Sequence, residues 1–531
     1  MPTTIKNEDG LIVRFGGGQN SRASQDQIDN LECTSGANFL LDPGNSEFRP
    51  RPAFDLLGTA PNGSEIRGFA TLLKSDGTVT MLVQAGATVY KWDGSAFTSV
   101  GTVNQLAQLR GPREANWALA DKVLISDLNL KEEMHEWDGT TFQQTTFLQS
   151  DGSSAFGTFR ARYCIVEDER AFFANIHDNG TDFPHLLVSS QRGDYLVVSS
   201  SDRPAAALGD DAPWFLPVPQ LKPINGLAFS FGILAISQEA GAFEKLTGST
   251  AKDFDLDKLH DGSGARGRES VVATSNDIIY GSPGKIESLN STDKFGDVEF
   301  DDLSFKIRPD ILTFTGWTNI YNPRLKRVYC FPDNQQEVWV LHLDFVGTEL
   351  SPWVKWTTRH ELSFLPTATM VCRDPLDGLE YTFMGDSVGR LYRLEGSGTS
   401  GDGGTDSVEV TRISKLNSAP LDSKLHQMEG WLSHRKLATS STVTLKFLFS
   451  GEHAFDSEKV ITTTAVTYDT PYGGAVYYGG NFYYGPRQLN RIIRRIFDVP
   501  GQGNQFQVQA TVDDNNDFAI TEVGLRFDFA S

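Results

Sequence analysis

VYKWDGSAF, residues 89–97, and MHEWDGTTF, residues 134–142, are two versions of one short pattern. Trp92 and Trp137 lie 45 residues apart, and each is followed by Asp-Gly and then by an aromatic residue that can begin a new strand. VGRLYRLEGSG, residues 388–398, is a weaker third copy. A repeat of this length in β-type sequence is the size of one four-stranded propeller blade.

The sequence between these copies divides into similar units. Apolar runs of four to six residues, bounded by Gly, Asn, Asp and Pro, recur through the middle of the chain and are typical of short strands. No stretch of this region has a sustained helical period of apolar residues. Residues 65–395 therefore predict a β-propeller of about seven blades with roughly 40–50 residues in each.

The pattern changes beyond residue 395. Residues 396–407, GSGTSGDGGTDS, predict a flexible linker. Residues 408–531 contain longer alternating strands, which predict a β-sandwich platform domain. Residues 1–64 are rich in turn residues and predict an arm that packs on this platform. The predicted fold class is all-β: a propeller plus a β-sandwich-like platform formed by the C-terminal region with the N-terminal arm.

Charge and cysteine content exclude several classes of protein. The net charge of -21 disfavours a protein that wraps nucleic acid, which needs a basic face. The four cysteines are far apart in sequence, so they predict separate, reduced and buried thiols. No basic stretch followed by an apolar run begins the chain, and no apolar run has the length of a membrane span, so we expect neither a signal peptide nor a membrane span.

Motifs of enzyme active sites are absent from the sequence. It contains no G-x-S-x-G, H-E-x-x-H, P-loop or C-x-x-C. The group that begins at Asp253 fails the spacing rule for a calcium loop. All three acidic groups are assigned to solvated loops, with a structural cation at one of them as the alternative. We expect no enzymatic activity, no catalytic residue, no metal site and no cofactor. The residues considered as metal ligands were His177, His185, Asp178, Asp182, Asp253, Asp255, Asp257, Asp261, Asp293, Asp297, Glu299, Asp301, Asp302, Asp513, Asp514 and Asp517.

Two features of the C-terminal region predict a subunit interface. Residues 472–485, YGGAVYYGGNFYYG, combine Tyr, which has a large contact area at low entropic cost, with Gly, which permits close backbone approach. A run of arginines follows and could contact an acidic neighbour or DNA phosphates. An exposed hairpin and a solvated strand are the plain alternatives. The candidate interface residues are Tyr472, Tyr477, Tyr478, Tyr483, Tyr484, Arg487, Arg491, Arg494 and Arg495.

The order of several segments resembles one protein family. FGGGQN at residues 15–20 and NSEFRPRPAF at 45–54 precede the propeller units. Within the units come GAFEKLTGSTAKDF at 241–254 and VVATSNDIIYGSPGKIESLN at 271–290, and the chain closes on FQVQATV and FAITEVGLRFDF. This arrangement resembles the β-propeller type of tail nozzle, or tail tubular, protein of short-tailed bacteriophages.

The resemblance implies a function. It implies a structural protein of the virion that forms a homo-oligomeric ring, a hexamer, below the portal and its adaptor. Tail fibres would be further neighbours, DNA would pass through the ring without specific binding, and assembly would occur in the host cytoplasm. A ring that passes DNA should have an acidic or neutral lumen, because a basic wall retains phosphates.

An alternative function belongs to another class. Propellers that bind or process carbohydrate exist, and 68 acidic residues offer many carboxylate pairs for glycoside chemistry. The chain could then be a carbohydrate-binding or carbohydrate-processing propeller on a tail fibre or cell surface.

Overall fold

The fold is nearly all β in a computed structural model of the chain. The structure describes residues 11–13, 16–24, 27–41, 49–199, 209–230, 232–239, 241–248, 250–260, 264–267, 269–275, 277–291, 298–357, 366–395, 408–414, 417–418, 424–435, 441–449, 457–463, 492–497, 502–503, 505–513 and 520–530, in places the backbone alone. Helical elements among them are short. They are α1 (Arg308–Ile311) and the 3-10 turns Arg113–Ala115, Ala118–Ala120, Phe305–Ile307 and Leu343–Phe345.

Five short strands precede the propeller's first complete hairpin. The arm contributes β1 (Leu11–Val13), β2 (Ser35–Ala37), β3 (Phe39–Leu40) and β4 (Arg49–Pro50). They are followed by β5 (Asp55–Thr59).

The described residues form seven blades of antiparallel strands, and the first two blades join in one nine-stranded sheet because their innermost strands pair in parallel. Blade 1 consists of β6 (Ile66–Leu73), β7 (Val79–Ala85), β8 (Thr88–Trp92) and β9 (Phe97–Thr102), and blade 2 consists of β10 (Leu109–Gly111), β11 (Asn116–Trp117), β12 (Lys122–Asp127), β13 (His135–Trp137) and β14 (Phe142–Gln144). Blade 3 consists of β15 (Phe159–Glu167), β16 (Arg170–Asp178), β17 (Thr181–Ser189) and β18 (Trp214–Pro217). Blade 4 consists of β19 (Ile224–Ser230), β20 (Ile233–Gln238), β21 (Phe243–Thr247) and β22 (Asp255–His260). Blade 5 consists of β23 (Val271–Ala273), β24 (Ile278–Ser282), β25 (Lys285–Ser291) and β26 (Val298–Asp302). Blade 6 consists of β27 (Trp317–Asn322), β28 (Arg327–Pro332), β29 (Glu337–His342) and β30 (Trp353–Thr357). Blade 7 consists of β31 (Ala368–Arg373), β32 (Glu380–Gly385) and β33 (Arg390–Arg393) together with β5.

The last blade is completed from the other end of the propeller sequence. Strand β5 pairs antiparallel with β33, although it lies within the residues 1–64 that the sequence assigns to the arm. Phe69 and Trp92 of blade 1 share a buried core with Phe383 and Leu391 of blade 7. The circle of blades is therefore closed both by hydrogen bonds and by apolar packing.

The repeated Trp-Asp-Gly pattern has the same structural role in blades 1 and 2. Trp92 ends β8 opposite Phe97, and Trp137 ends β13 opposite Phe142. In the first of these turns Asp93 Oδ1 accepts two backbone N–H bonds at 2.8 Å, and Asp138 does the same in the second at 2.7 Å. The Gly after each Asp has a positive φ, 99° in the first turn, which a residue with a Cβ rarely adopts. These turns confirm the repeat on which the propeller prediction depends.

Two packed sheets form the platform. Its strands are β34 (Glu409–Ile413), β35 (Asn417–Ser418), β36 (Lys424–Arg435), β37 (Ser441–Phe449), β38 (Ser457–Thr463), β39 (Ile492–Phe497), β40 (Gln502–Gly503), β41 (Gln505–Asp513) and β42 (Ile520–Ala530). One sheet has the order β1-β42-β36-β39, with β40 on β36, and the other has the order β2-β34-β41-β37-β38, with β35 on β41. The arm therefore adds one strand to each sheet, which confirms that both chain ends build the platform.

The sheets bury one face each. Along β37, Val443, Leu445 and Phe447 are buried and alternate with more exposed polar residues. They share a core with Val523 of the other sheet and with Trp356 of blade 6. The apolar face of this sheet is thus covered within the chain itself.

The arm joins the propeller to the platform through its backbone. Gly18 N–H donates to the carbonyl of Ser351 and Gln19 N–H to that of Trp353, both at 2.8 Å. On the other side Thr34 N–H donates to the carbonyl of Ile413, at 3.0 Å. The arm is therefore held between blade 6 and the platform.

A buried arginine fixes the arm in this position. Arg412 is fully buried, and its Nη2 donates to the carbonyls of Gly17, at 2.6 Å, and Leu31, at 2.5 Å. Burial lowers the pKa of this guanidinium, while Cys33 and Glu32 act in the opposite direction. Glu32 is itself held by Lys306 Nζ at 2.6 Å. Charged groups from arm, platform and propeller thus meet in one buried network.

Gly18→Ala tests this joint. A Cβ at residue 18 would lie 2.2 Å from the carbonyl oxygen of Trp353 and 2.7 Å from that of Ser351, both rigid backbone atoms. We expect a loss of about 1–3 kcal/mol in the free energy of unfolding, measured by urea denaturation. Gly209→Ala is the matched control, because a Cβ there meets no atom of the described residues within 4 Å. Equal stability of the two variants would contradict this description of the joint.

Candidate functional site

A cavity of about 440 Å³ lies on the axis of the propeller, and we call it the axial cavity. All seven blades contribute to its wall, chiefly through their innermost strands β6, β10, β15, β19, β23, β27 and β31. The wall combines apolar side chains such as Leu73, Ile165 and Met370 with a few polar groups. Its volume is in the range of pockets for small molecules.

An ion pair crosses between blades at this cavity. Arg110 of β10, in blade 2, places Nε 2.5 Å from Oε1 of Glu269, which lies just before blade 5. Its Nη1 also donates to the carbonyl of Thr369 in blade 7, at 3.2 Å. Both charged side chains are largely buried, with 23% and 11% of their surfaces exposed. One guanidinium thus ties three blades together.

A second ionic group lies on the wall nearer solvent. Arg113 Nη1 is 3.0 Å from Glu380 Oε1, and Arg373 Nε is 3.8 Å from the same oxygen. Both arginines are substantially exposed, whereas the side chain of Glu380 is 17% exposed. The wall carries three arginines, Arg110, Arg113 and Arg373, and three glutamates, Glu114, Glu269 and Glu380, so its formal charges cancel.

The thiols of the cavity are unreactive. Cys164 and Cys372 both line it, and burial raises the pKa of each above its ordinary value. A thiol in this state is protonated at neutral pH and is a poor nucleophile. All four cysteines are free and buried, as the sequence predicted.

Another cluster of ionisable groups lies in blades 2 and 3. Glu136 accepts from Lys122 Nζ and from the hydroxyl of Tyr195, both at 2.6 Å. Burial opposes the charged ammonium of Lys122, but its bonds to Glu136 and Tyr195 outweigh this and raise its pKa to about 12. Burial and the bond to Glu136 raise the pKa of Tyr195 to about 12 as well. Neither group can accept a proton at neutral pH, so the cluster acts as a structural tie.

The predicted interface residues lie largely outside the described part of the chain. This holds for Tyr472, Tyr477, Tyr478, Tyr483, Tyr484, Arg487 and Arg491. Arg494 and Arg495 lie in the edge strand β39, where they pair with Ser433 and Leu432 of β36, and only their backbone is described. Their role in an interface stays a prediction.

The acidic and histidine residues do not form a metal site in the described ranges. No group of three potential ligands occurs there. His177 Nδ1 lies 2.6 Å from Asp182 Oδ1 across the β16–β17 hairpin, as an exposed pair. The prediction that the acidic groups lie in loops is wrong for several of their members: Asp255 and Asp257 lie in strand β22, Glu299, Asp301 and Asp302 lie in β26, and Asp513 ends β41.

The groups that the structure does bring together were not found from sequence. Arg110 and Glu269 are 159 residues apart, and Arg412 lies almost 400 residues from Gly17. A charged residue inside a short apolar strand is the available signal, as in LRG at residues 109–111. That signal does not name the partner.

Comparisons with known proteins find propellers. No protein-family model and no curated protein matches the chain. Solved structures similar to it include BBS1N in complex with ARL6DN (TM-score 0.40, 8% identity, 65% of this chain and 98% of that chain). Another is the WD40 domain of Pan2 from Neurospora crassa, with a TM-score of 0.40 and 10% identity over 65% of this chain and 95% of that chain. A third is Sqt1 from Saccharomyces cerevisiae, with a TM-score of 0.38 and 9% identity over 65% of this chain and 98% of that chain. Sequence identities of 8–10% and TM-scores of 0.38–0.40 give no information about the function of this chain.

One finding concerns membranes. In the part of the chain that the structure describes, no helix is long and apolar enough to cross a bilayer.

Arg110→Met tests the ion pair between blades. The change leaves the largely buried carboxylate of Glu269 without its arginine, and we expect a loss of about 3 kcal/mol in the free energy of unfolding. The double variant Arg110→Met/Glu269→Met should be more stable than Arg110→Met, because it removes the stranded charge. Urea denaturation of the single and double variants measures this cycle. Additive losses would show that the two residues do not interact.

Proposed function

We propose that this chain is a structural protein of a bacteriophage virion, the subunit of a nozzle ring at the end of a short tail. The ring would lie below the portal and its adaptor and would form a channel or gate for DNA ejection. The observation that carries the proposal is the layout of the chain. Both chain ends build one two-sheet platform, and the propeller is inserted between them. The resemblance to tail nozzle proteins rests on the same order of segments, with an opening arm, propeller units and a closing pair of strands.

The charge of the chain supports passage of DNA without retention. With 68 acidic residues against 47 Lys and Arg, the net charge of -21 disfavours retention of DNA through its phosphates. An acidic wall repels the polymer and lets it move, whereas a basic wall would hold it.

The axial cavity is not the proposed path of the DNA. It has the volume of a small-molecule pocket, and the Arg110–Glu269 pair joins opposite blades beside it. A DNA channel therefore has to lie between subunits, on the axis of a ring. This requirement makes the oligomeric state the decisive property of the proposed function.

Within the described residues, we assign contacts between subunits to the outer faces and the edges of the platform sheets. The apolar face of the sheet that contains β37 is covered within the chain, so a neighbour would meet its polar outer face or its edges. Strand β39 lies at an edge of the other platform sheet, as far as the structure describes that sheet, and carries Arg494 and Arg495. The Tyr-rich segment 472–485 precedes this strand, and we place it at the same interface.

Native mass spectrometry of the purified chain tests the ring. We expect a discrete closed oligomer, six copies by the resemblance, in equilibrium with monomer. The proportion of oligomer should fall on dilution and recover on concentration. A chain that stays monomeric at all concentrations, and is absent from purified virions, would contradict the proposal.

The Tyr-rich segment gives a second test. Replacing Tyr477, Tyr478, Tyr483 and Tyr484 together by Ser removes most of its contact area, so we expect a folded monomer that does not join rings or particles. The matched control replaces the same residues by Phe, which keeps the area and removes the hydroxyls. Negative-stain imaging and circular dichroism compare assembly and folding. Normal assembly of the Ser variant would place the interface elsewhere.

A further inference from the structure

We propose that the axial cavity binds a small monocarboxylate, whose apolar body fills the cavity and whose carboxylate lies at the guanidinium groups of Arg113 and Arg373. The site belongs to the propeller and not to the platform interface, so binding there does not depend on ring formation.

The interior of the cavity suits the apolar body of such a molecule. The cavity has a volume of about 440 Å³, and its wall includes Leu128, Ile165, Phe229, Val272 and Met370. Pockets of this size with a largely apolar wall can enclose most of the surface of a small organic molecule. Transfer of apolar surface from water to this wall favours binding.

Arginines gather at one end of the cavity. Arg373 ends the innermost strand β31 of blade 7, Arg113 lies two residues beyond β10 of blade 2, and Arg324 lies two residues beyond β27 of blade 6. The side chains of Arg113 and Arg373 line the cavity and are 56% and 41% exposed. They therefore mark the place where the cavity opens to solvent, and we call this place the mouth.

Positive charge at the mouth exceeds the negative charge in contact with it. Arg113 Nη1 lies 3.0 Å from Oε1 of Glu380, and Arg373 Nε lies 3.8 Å from the same oxygen. The longer distance is too great for a hydrogen bond. Arg324 Nε donates to the backbone carbonyl of Glu380, at 2.8 Å, and not to its carboxylate. Three guanidinium groups thus lie around one glutamate.

The other carboxylates of the wall do not neutralise Arg373. Glu269 is held by Arg110, whose Nε lies 2.5 Å from it. Glu114 is exposed and forms no ion pair with a described residue. Among the described residues Arg373 has no hydrogen-bond acceptor, so its N–H groups can serve a ligand. A carboxylate fits this site, because its two oxygens match the N–H groups of a guanidinium and its single charge balances one arginine.

Four small molecules separate the parts of the proposal. Octanoate has an apolar chain and a carboxylate, 1-octanol has the chain without the charge, acetate has the charge without the chain, and octyl phosphate carries a larger charge. By isothermal titration calorimetry we expect saturable binding of one octanoate per chain. We expect 1-octanol to bind about tenfold more weakly, because it lacks the charged hydrogen bonds. Octyl phosphate should also bind more weakly than octanoate, since its second charge has no partner, and acetate should show no saturable binding.

Arg373→Met tests the position of the carboxylate. The change removes the guanidinium, which makes no hydrogen bond with a described residue, and keeps a long side chain. We expect octanoate to bind about tenfold more weakly and 1-octanol to bind as before. Arg192→Met is the matched control, because Arg192 is 40% exposed and lies outside the cavity wall. It should bind both molecules like the unaltered chain.

Glu380→Gln should change the affinity in the opposite direction. The change removes the carboxylate that competes for Arg113 and Arg373, and it keeps the shape of the side chain. We expect octanoate to bind about threefold more tightly, with 1-octanol unchanged. A weaker or unchanged affinity for octanoate would contradict the proposed contact with these arginines.

Ala273→Phe tests the position of the apolar body. Ala273 of β23 lines the cavity, so a larger side chain there takes the space of the ligand. Octanoate and 1-octanol should both bind about tenfold more weakly. Circular dichroism checks the fold of each variant. If Ala273→Phe does not fold, Ser275→Phe, at an exposed position of the wall, decides the location.

Four results would overturn the proposal. Absence of saturable octanoate binding would mean that the cavity holds water only. Equal affinities for octanoate and 1-octanol, or an Arg373→Met variant that binds octanoate normally, would remove the carboxylate from the mouth. Unchanged affinity in the folded variant of Ala273 or Ser275 would place the octanoate site outside the axial cavity. Tighter binding of octyl phosphate than of octanoate would make the ligand a phosphate and not a carboxylate.

Discussion

The buried guanidinium of Arg412 is the interaction on which the joint between the two domains depends. A fully buried arginine is stable only where its N–H groups are satisfied, and two arm carbonyls, of Gly17 and Leu31, accept from it. The arm also donates backbone hydrogen bonds to blade 6, and its Glu32 forms an ion pair with Lys306 of the propeller. The arm also supplies β1 to one platform sheet and β2 to the other, so neither sheet is complete without it. This mutual dependence makes the propeller, the arm and the platform parts of one structure.

Closure of the propeller also depends on contacts between distant parts of the chain. Strand β5 completes blade 7 beside β33, so the first and last strands of the propeller lie in one sheet. Each adjacent pair of blades shares a buried core, and the core of blades 6 and 7 continues into the platform. The Arg110–Glu269 pair adds a tie between blades that are not adjacent. Because the blades pack closely and are tied across the axis, the propeller has only a small cavity at its centre. A DNA channel would therefore have to lie outside the propeller.

Local pattern predicted the blades because their signals are local. Trp92 and Trp137 mark equivalent turns, and the Asp and Gly after each Trp form the turn by short-range hydrogen bonds and a positive φ. Alternation in β37 likewise predicted a sheet with one buried face. The axial cavity, the Arg110–Glu269 pair and the Arg412 network could not be predicted in this way, because each joins residues more than a hundred positions apart. The sequence also placed β5 in the arm, since nothing within five residues shows that its partner is β33. The interface residues Tyr477 and Arg487 were chosen on composition and still await their test.

In the proposed nozzle, the propeller and the platform of each subunit form one unit. Acidic residues of the ring of subunits face the DNA. A cryo-EM map of the assembled ring tests this account most directly, because it shows at once the surfaces in contact and the charge of the lumen. The account predicts that platform domains meet around the axis and that Asp and Glu outnumber Lys and Arg along the channel. A ring joined propeller to propeller, or a lumen lined mainly by Lys and Arg, would contradict it.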